Sequence, residues 1–380
     1  MKIIHIMPNV SRGFGGPTES LIGYGRAASA RGLSVHVAAP TVSDGDGGWL
    51  RETLPDAYFH LFHSAGRHAW VISPGLWWWL LRKATWFDVV HVHGLFNLVS
   101  SVAARIALAL GVPTVIRPFG TLSRYTFSRH AVLKRVYFAL VDRPMLRRAS
   151  ALHFTTEAER HEAGRLELSV HTKGAVVPPP WQGRAPEPDM QAKADRPTVL
   201  FLSRLHPTKN VARLIDAWSE VLGQLPAARL WVAGDGESDH VAELQEEVAS
   251  RDLEDSVSFL GFVSGDEKMR VLRESWVFVL PSHHENFGIA VLEALASGLP
   301  VVVSGEVQLA PFVKQHELGI VVDRTDSIEL AEGIVSLLVN STFRSRVAES
   351  GPGRVEKEFS ASRIGLKLEK MYRRAVSGEG

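Results

Sequence analysis

The stretch WVFVLPSHHENFGIAVLEALASGLPVVVS, Trp276–Ser304, decides how the chain folds. WVFVL is a short apolar run rich in β-branched and aromatic residues, which reads as a strand. The polar residues Ser282–Asn286 end it. Apolar residues then recur at helical spacing from Gly288 to Ser297, and Gly298 is the C-terminal stop. LPVVVS begins a further strand. A strand, a helix and a strand in close succession are the repeating unit of a parallel α/β sheet.

The same alternation runs through all 380 residues. Lys2–Met7, Leu33–Pro40, Phe87–Gly94, Val112–Gly120 and Ala149–Thr156 read as strands, with helices at Pro17–Arg31 and Leu98–Leu110 among them. Pro178–Pro197, PPPWQGRAPEPDMQAKADRP, lacks apolar periodicity and reads as a linker. Strands resume at Thr198–Ser203, Ala228–Gly234, Val257–Phe262, Trp276–Ser282, Leu299–Ser304 and Gly319–Val322. The expected fold class is therefore α/β. A Rossmann-like domain spans 1–177, a linker 178–197, and a second Rossmann-like domain 198–358. A basic helix within 359–380 is expected to pack back on the first domain. Ligands of such sheets bind beyond the carboxyl ends of the strands, so two domains facing each other would share one cleft.

Composition excludes several classes of function. The net charge is +1, which gives no field selecting nucleic acid. There is no cysteine, so disulfides, thiolate metal sites and thiol catalysis are absent. No apolar run reaches the roughly 20 residues of a membrane-spanning helix. The opening MKIIHIM is about one strand long and leads into a glycine turn, unlike a signal peptide. A cytoplasmic protein is expected.

Four segments carry residues suited to chemistry. Ser11–Glu19, SRGFGGPTE, follows a strand and opens a helix, a setting in which backbone N–H groups hold phosphate. It is not a dinucleotide fingerprint, because the third glycine of G-x-G-x-x-G would fall at Thr18 and no ribose-binding acid follows Pro40. In SRLHPTKN, Arg204 ends a strand and Lys209 precedes a helix, and two such cations suit a diphosphate. Glu285 lies in the polar loop, whereas Glu293 lies inside the apolar helix, where a carboxylate is costly to bury. Eight fully helical steps would separate them by about 12 Å, the reach from a sugar across a diphosphate to a ribose. His91 and His93 alternate with valines and project to one face of their strand. The position of His93 before Gly94 marks it as the site residue and leaves His91 structural. Each feature also has a plainer reading: a tight turn, solvated charges, an exposed helix glutamate, packed histidines. Asp44–Asp46, DGD, reads as a turn and His283–His284 as a hydrogen-bonded loop pair, so no metal is expected.

Taken together and in order, these segments resemble the retaining glycosyltransferases of family 4. ENFGIAVLEALASGLPVV resembles their E-x(7)-E signature, GGPTES their glycine loop, and DVVHVHGLF their histidine strand. RPFGTL, LRRASALHFTTEAE, SRLHPTKN and VAGDGE resemble further segments, so the likeness covers nearly the whole chain. VVPPPWQ departs from the family's asparagine–glycine at the end of the first domain. The resemblance implies the GT-B fold and transfer from a nucleotide-diphosphate sugar, with UDP or GDP as the expected nucleotide. No cofactor or metal is implied. It gives Glu285 the donor sugar's hydroxyls, and gives Asn286, Phe287, Gly288 and Ile289 further donor contacts. Glu293 would hold the ribose. Arg204 and Lys209 would stabilise the leaving diphosphate. Gly15 and Gly16 would approach the phosphates, and His93 would sit at the reacting sugar. Arg117 and Thr121 fall on the acceptor side.

The closest segment likenesses are to members that build exported polysaccharides, so the expected acceptor is a glycan or a polyprenyl-linked glycan. Ser73–Trp86 and Arg124–Arg148 interleave aromatic, apolar and basic residues. They suggest docking on an anionic membrane, peripherally and on its inner face. Two other functions fit the same architecture. A nucleotide-sugar epimerase would form product without an acceptor, and a non-catalytic sugar-nucleotide-binding protein would not turn over.

Overall fold

A computed structural model describes residues 1–11, 16–41, 46–66, 70–123, 126–127, 131–166, 168, 170–183, 185–186, 188, 193–322 and 326–378. Gly15 and Asp44 lie outside the described residues, as do parts of 124–130 and of the expected linker. The chain divides into two compact units, residues 1–182 with 359–380, and residues 183–358. The expected linker is shared between them. Its end packs on the second unit, where Lys193 Nζ donates to Ser275 O at 2.7 Å and the Trp276 indole donates to Ala194 O at 3.1 Å.

The first unit holds β1 (Lys2–Ile6), β2 (Ser34–Thr41), β3 (Tyr58–His63), β4 (Val89–His93), β5 (Thr114–Arg117), β6 (Ala151–Phe154) and β7 (Gly174–Val176). They form one seven-stranded sheet in the order β3-β2-β1-β4-β5-β6-β7, and every pairing is parallel. The second unit holds β8 (Thr198–Leu202), β9 (Arg229–Ala233), β10 (Val257–Gly261), β11 (Val277–Leu280), β12 (Val301–Ser304) and β13 (Gly319–Val322). Its order is β10-β9-β8-β11-β12-β13, again all parallel. Both are doubly wound sheets. The strand order reverses between β1 and β4 in one and between β8 and β11 in the other, the switch points where such sheets bind ligands.

Strand periodicity separates the two faces of the first sheet. Ile4, Ile6, Val90, Val92, Ile116, Leu152 and Phe154 belong to one core. Ile3, Val89, Val115 and Ala151 belong to another, which helix Ala361–Ser377 completes with Ile364, Leu368, Met371, Tyr372 and Ala375. Those five recur at helical spacing and face helix Gly16–Ser29. Gly365 is required at the crossing, because a Cβ there would lie 2.5 Å from Ala27 O. Truncating Leu368, which is fully buried, to alanine would cost about 2–5 kcal/mol.

Strands β3 and β7 were not legible in the sequence. β3 is an edge strand with no fully buried position, so YFHLFH shows no apolar alternation. β7 is only three residues long.

Candidate active site

In the second unit, residues expected to bind the donor gather at the switch point. β8 ends at Leu202, and Pro207–Lys209 forms one tight helical turn capped by the His206 side chain. Asn210 adopts φ +61°, a left-handed conformation that asparagine tolerates. Its amide donates to Pro281 O at 3.1 Å, and His283 N donates to Thr208 O at 2.8 Å. The loops after β8 and β11 are thereby tied together. The loop after β12 joins them, since Glu285 N donates to Glu306 O at 3.3 Å and Gln308 N donates to Glu285 O at 3.1 Å.

This scaffold brings Lys209 and Glu285 into a direct ion pair through Glu285 Oε2. Their side chains are only 11% and 18% exposed, so the two charges depend on each other. Glu285 Oε1 accepts from Phe287 N at 3.4 Å. Gly288 follows with φ +94°, and a Cβ there would lie 3.2 Å from Val291 and 3.3 Å from Val307. Helix Ile289–Ala296 starts after it and buries Val291, Leu292, Leu295 and two alanines. The helix therefore covers only part of the interval from Glu285 to Glu293, and the 12 Å of a continuous helix (about eight rises) does not apply to it.

Glu293 projects from that apolar helix with 16% of its side chain exposed. Its Oε1 accepts from Lys268 Nζ at 2.7 Å. Lys268, which sequence reasoning missed, lies in the first turn of helix Gly265–Glu274. Arg204 is exposed on the loop after β8. The glycine turn after β9 supports that loop. Leu205 N donates to Asp235 O at 2.8 Å, and Cβ atoms at Gly234 and Gly236 would lie 1.8 and 2.1 Å from the carbonyl oxygens of Ser203 and Leu205.

In the first unit, the carboxyl half of one sheet face is polar. His5, His91, His93, Arg117 and His153 are all buried there. Register explains the gathering, because His5 pairs with His91 and His93 with Arg117 across neighbouring strands. One chain of hydrogen bonds has a defined direction. Val177 O can only accept, so His153 Nε2–H donates to it at 2.7 Å. His153 Nδ1 must then accept from His91 Nε2–H at 3.2 Å, and His91 Nδ1 accepts from the Tyr372 hydroxyl at 2.9 Å. The Tyr24 hydroxyl also donates to Val177 O at 2.9 Å. Separately, His5 Nδ1 and His93 Nε2 share a hydrogen bond of 2.9 Å.

His93 thus ends β4 as an enclosed side chain, and its Nδ1 makes no hydrogen bond among the described residues. Arg117 is enclosed as well, with its guanidinium over the rings of Phe119 and Tyr24 and one nitrogen 3.2 Å from Thr155 Oγ1. Thr121 donates to Pro118 O at 2.6 Å, and Gly16 opens its helix. Burial, reinforced by Arg117, lowers the His5 pKa to about 3. Burial likewise holds His91, His93 and His153 well below the usual histidine value, so all four are neutral at pH 7.

His5, His91 and His93 each offer a nitrogen within 4.8 Å of the others, a spacing compatible with a metal ion. The donor set fits a cation poorly. Both His91 nitrogens are committed to Tyr372 and His153, and the Arg117 charge acts on all three imidazoles.

Each unit is a doubly wound parallel α/β sheet, and in the second unit cations and carboxylates gather at the switch point, where such sheets bind ligands. Comparisons with known proteins specify it further. The family model "Glycosyl transferase 4-like domain" matches residues 15–180, and "Glycosyl transferases group 1" matches residues 187–354. The chain belongs to the family 4 glycosyltransferases with the GT-B fold. It is 27% identical to the alpha-D-kanosaminyltransferase of Streptomyces kanamyceticus, over 80% of this chain and 83% of that one. An uncharacterized glycosyltransferase of Methanocaldococcus jannaschii is 32% identical over 49% of this chain, and the match spans about half of that protein, 47%. Among solved structures, Anabaena Alr3699/HepE in complex with UDP and glucose superposes with a TM-score of 0.76. That match is 20% identical and covers 97% of this chain and 98% of that one, so it shows the fold.

Proposed function

We propose that this chain transfers a sugar, with retention of anomeric configuration and without a metal, from a UDP- or GDP-sugar to a glycan or polyprenyl-linked acceptor in polysaccharide biosynthesis. The observation that carries this reading is the enclosed Lys209–Glu285 pair at the switch point of the second unit. A carboxylate beside a fixed ammonium can accept hydrogen bonds from sugar hydroxyls while the ammonium meets the diphosphate. Arg204 adds a second cation from the same loop. The UDP-bound HepE structure supports a nucleotide-sugar donor, and the kanosaminyltransferase supports transfer of a sugar.

In the proposed reaction the bond from the anomeric carbon to the diphosphate oxygen breaks. The acceptor oxygen bonds to that carbon on the same face, and its proton passes to the departing phosphate. Arg204 and Lys209 stabilise the negative charge that develops there, the role a metal fills elsewhere. Glu285 and the backbone of residues 286–289 orient the sugar, Glu293 holds the ribose, and His93 stands at the sugar's reacting end. The test is transfer from UDP- and GDP-sugars in EDTA, with product configuration read from the anomeric proton coupling. An inverted product, or activity that requires a divalent ion, would refute this mechanism. Sugar conversion without an acceptor would favour the epimerase.

Exposed residues of the first unit support a peripheral membrane site. Val132, Leu133, Val136 and Leu140 are exposed and lie beside Lys134 and Arg135. Trp78 and Trp86 are also exposed, with Arg82 over the Trp78 ring at 3.9 Å and Lys2 over the Trp86 ring at 4.0 Å. Trp77 and Trp79 instead pack against the core. No described helix is long and apolar enough to cross a membrane. Docking on the inner face is tested by co-sedimentation with vesicles. Equal binding to neutral and anionic lipid would count against it.

A further inference from the structure

Lys268 is an unexpected cation for its position. It occupies the first turn of helix Gly265–Glu274, where the helix dipole favours anions, as Asp266 and Glu267 illustrate. Its ammonium instead reaches Glu293 of helix Ile289–Ala296 at 2.7 Å. The two side chains are 30% and 16% exposed, so the bond is sheltered and joins two elements 25 residues apart in sequence. Glu293 is the acidic residue of an otherwise apolar helix, and Lys268 holds one of its two oxygens. A carboxylate fixed through one oxygen presents a defined edge, whereas an untethered one can rotate about its last side-chain torsion.

We infer that Lys268 is a positioning residue for nucleoside recognition, holding the Glu293 carboxylate in the orientation that accepts the vicinal ribose hydroxyls. This rests on the reading of Glu293 as the ribose-binding acid, and it adds a residue on a different loop. Ribose discrimination then depends on both members of the pair. Lys268 also places a positive charge beside the nucleotide, so its removal weakens binding of any nucleoside diphosphate. The diagnostic quantity is therefore the ratio of affinities for ribo and 2′-deoxyribo forms, in which that general loss cancels.

The experiment is calorimetric titration of the full chain with UDP and 2′-deoxy-UDP, or with the GDP pair if GDP binds more tightly. The wild type is compared with Glu293→Gln, Lys268→Met, Lys268→Arg and the double variant Lys268→Met/Glu293→Gln. Thermal unfolding of each variant confirms that it is folded, and Lys268→Gln replaces Lys268→Met if the methionine variant is not. The wild type is expected to prefer the ribonucleotide at least tenfold, and Glu293→Gln to reduce that ratio to near one. Lys268→Met should bring it within about threefold of one, Lys268→Arg should restore it, and the double variant should lose no more than Glu293→Gln alone. A wild-type ratio in Lys268→Met, alongside a collapsed ratio in Glu293→Gln, would overturn the inference and leave the ribose reading standing. A wild-type ratio in Glu293→Gln would overturn the ribose reading itself, and this inference with it.

Discussion

Lowering the pH from 7 to 5 is expected to destabilise the first unit, through the four histidines enclosed on one face of its sheet. Burial lowers the pKa of His5 to about 3 and holds His91, His93 and His153 well below 6.5. In the unfolded chain each titrates near 6.5, so as the pH falls below that value the unfolded state binds protons that the folded state refuses. His5, with its pKa lowered to about 3, then costs about 2 kcal/mol by pH 5, and His91, His93 and His153 act in the same direction. Asp142 acts in the opposite sense. Burial pushes its carboxyl up to about 6, so the folded state takes that proton first and regains about 1 kcal/mol. Glu159, also raised by burial, adds to this return. Against a typical domain stability of about 5–15 kcal/mol, the His5 contribution alone is a sizeable fraction.

The assay is urea unfolding of the full chain at pH 7, 6 and 5 and constant ionic strength, read by hydrogen exchange on peptides from β4 and from helix Ala361–Ser377. The urea midpoint of these peptides should fall steeply with pH. Between pH 6.5 and 5 unfolding should take up protons on balance, measurable from the slope of stability against pH, and His36 and His60, also lowered by burial, add to the uptake. Equal midpoints at pH 7 and pH 5 would refute the argument, because they would mean that these histidines accept protons while folded.

Four substitutions test the sites directly. Lys209→Met and Glu285→Gln should each abolish transfer, and Lys209→Met should cost about 3–5 kcal/mol by leaving a sheltered carboxylate unpaired. The double variant should recover much of that stability by denaturant titration while remaining inactive, and recovered activity would remove both residues from the chemistry. Gly288→Ala forces a side chain into φ +94° against Val291 and Val307. It should cost about 1–3 kcal/mol and raise the donor KM, and an unchanged KM would detach the helix start from donor binding. Tyr372→Phe removes the hydroxyl that donates to His91 and should cost about 1–3 kcal/mol by thermal unfolding. No change in that variant would show that the directed chain from Tyr372 to Val177 does not hold the C-terminal helix in place.

What the sequence reveals about this protein depends on whether the relevant physics is local. Runs such as KIIHI and VVHVH announce buried parallel strands because their β-branched residues are contiguous, and the strand–helix alternation then fixes the fold class. YFHLFH fails that test only because it lies at a sheet edge. The polar layer left a local trace that can be read afterwards: His5, His91, His93, Arg117 and His153 each occupy the same face of a strand between apolar neighbours. Five polar residues at equivalent positions in four strands imply one enclosed stratum and partners to satisfy it. The partners themselves were not legible, since Tyr372 arrives from a helix 281 residues away from His91. The opening loop raises the same contrast. Glu285 and Glu293 stood out because a carboxylate beside or within an apolar helix is costly, yet neither glutamate carries a local sign of the lysine that offsets its charge. Lys209 comes from 76 positions away and Lys268 from 25. A buried charge in a sequence therefore states that a partner exists, and only the fold names it.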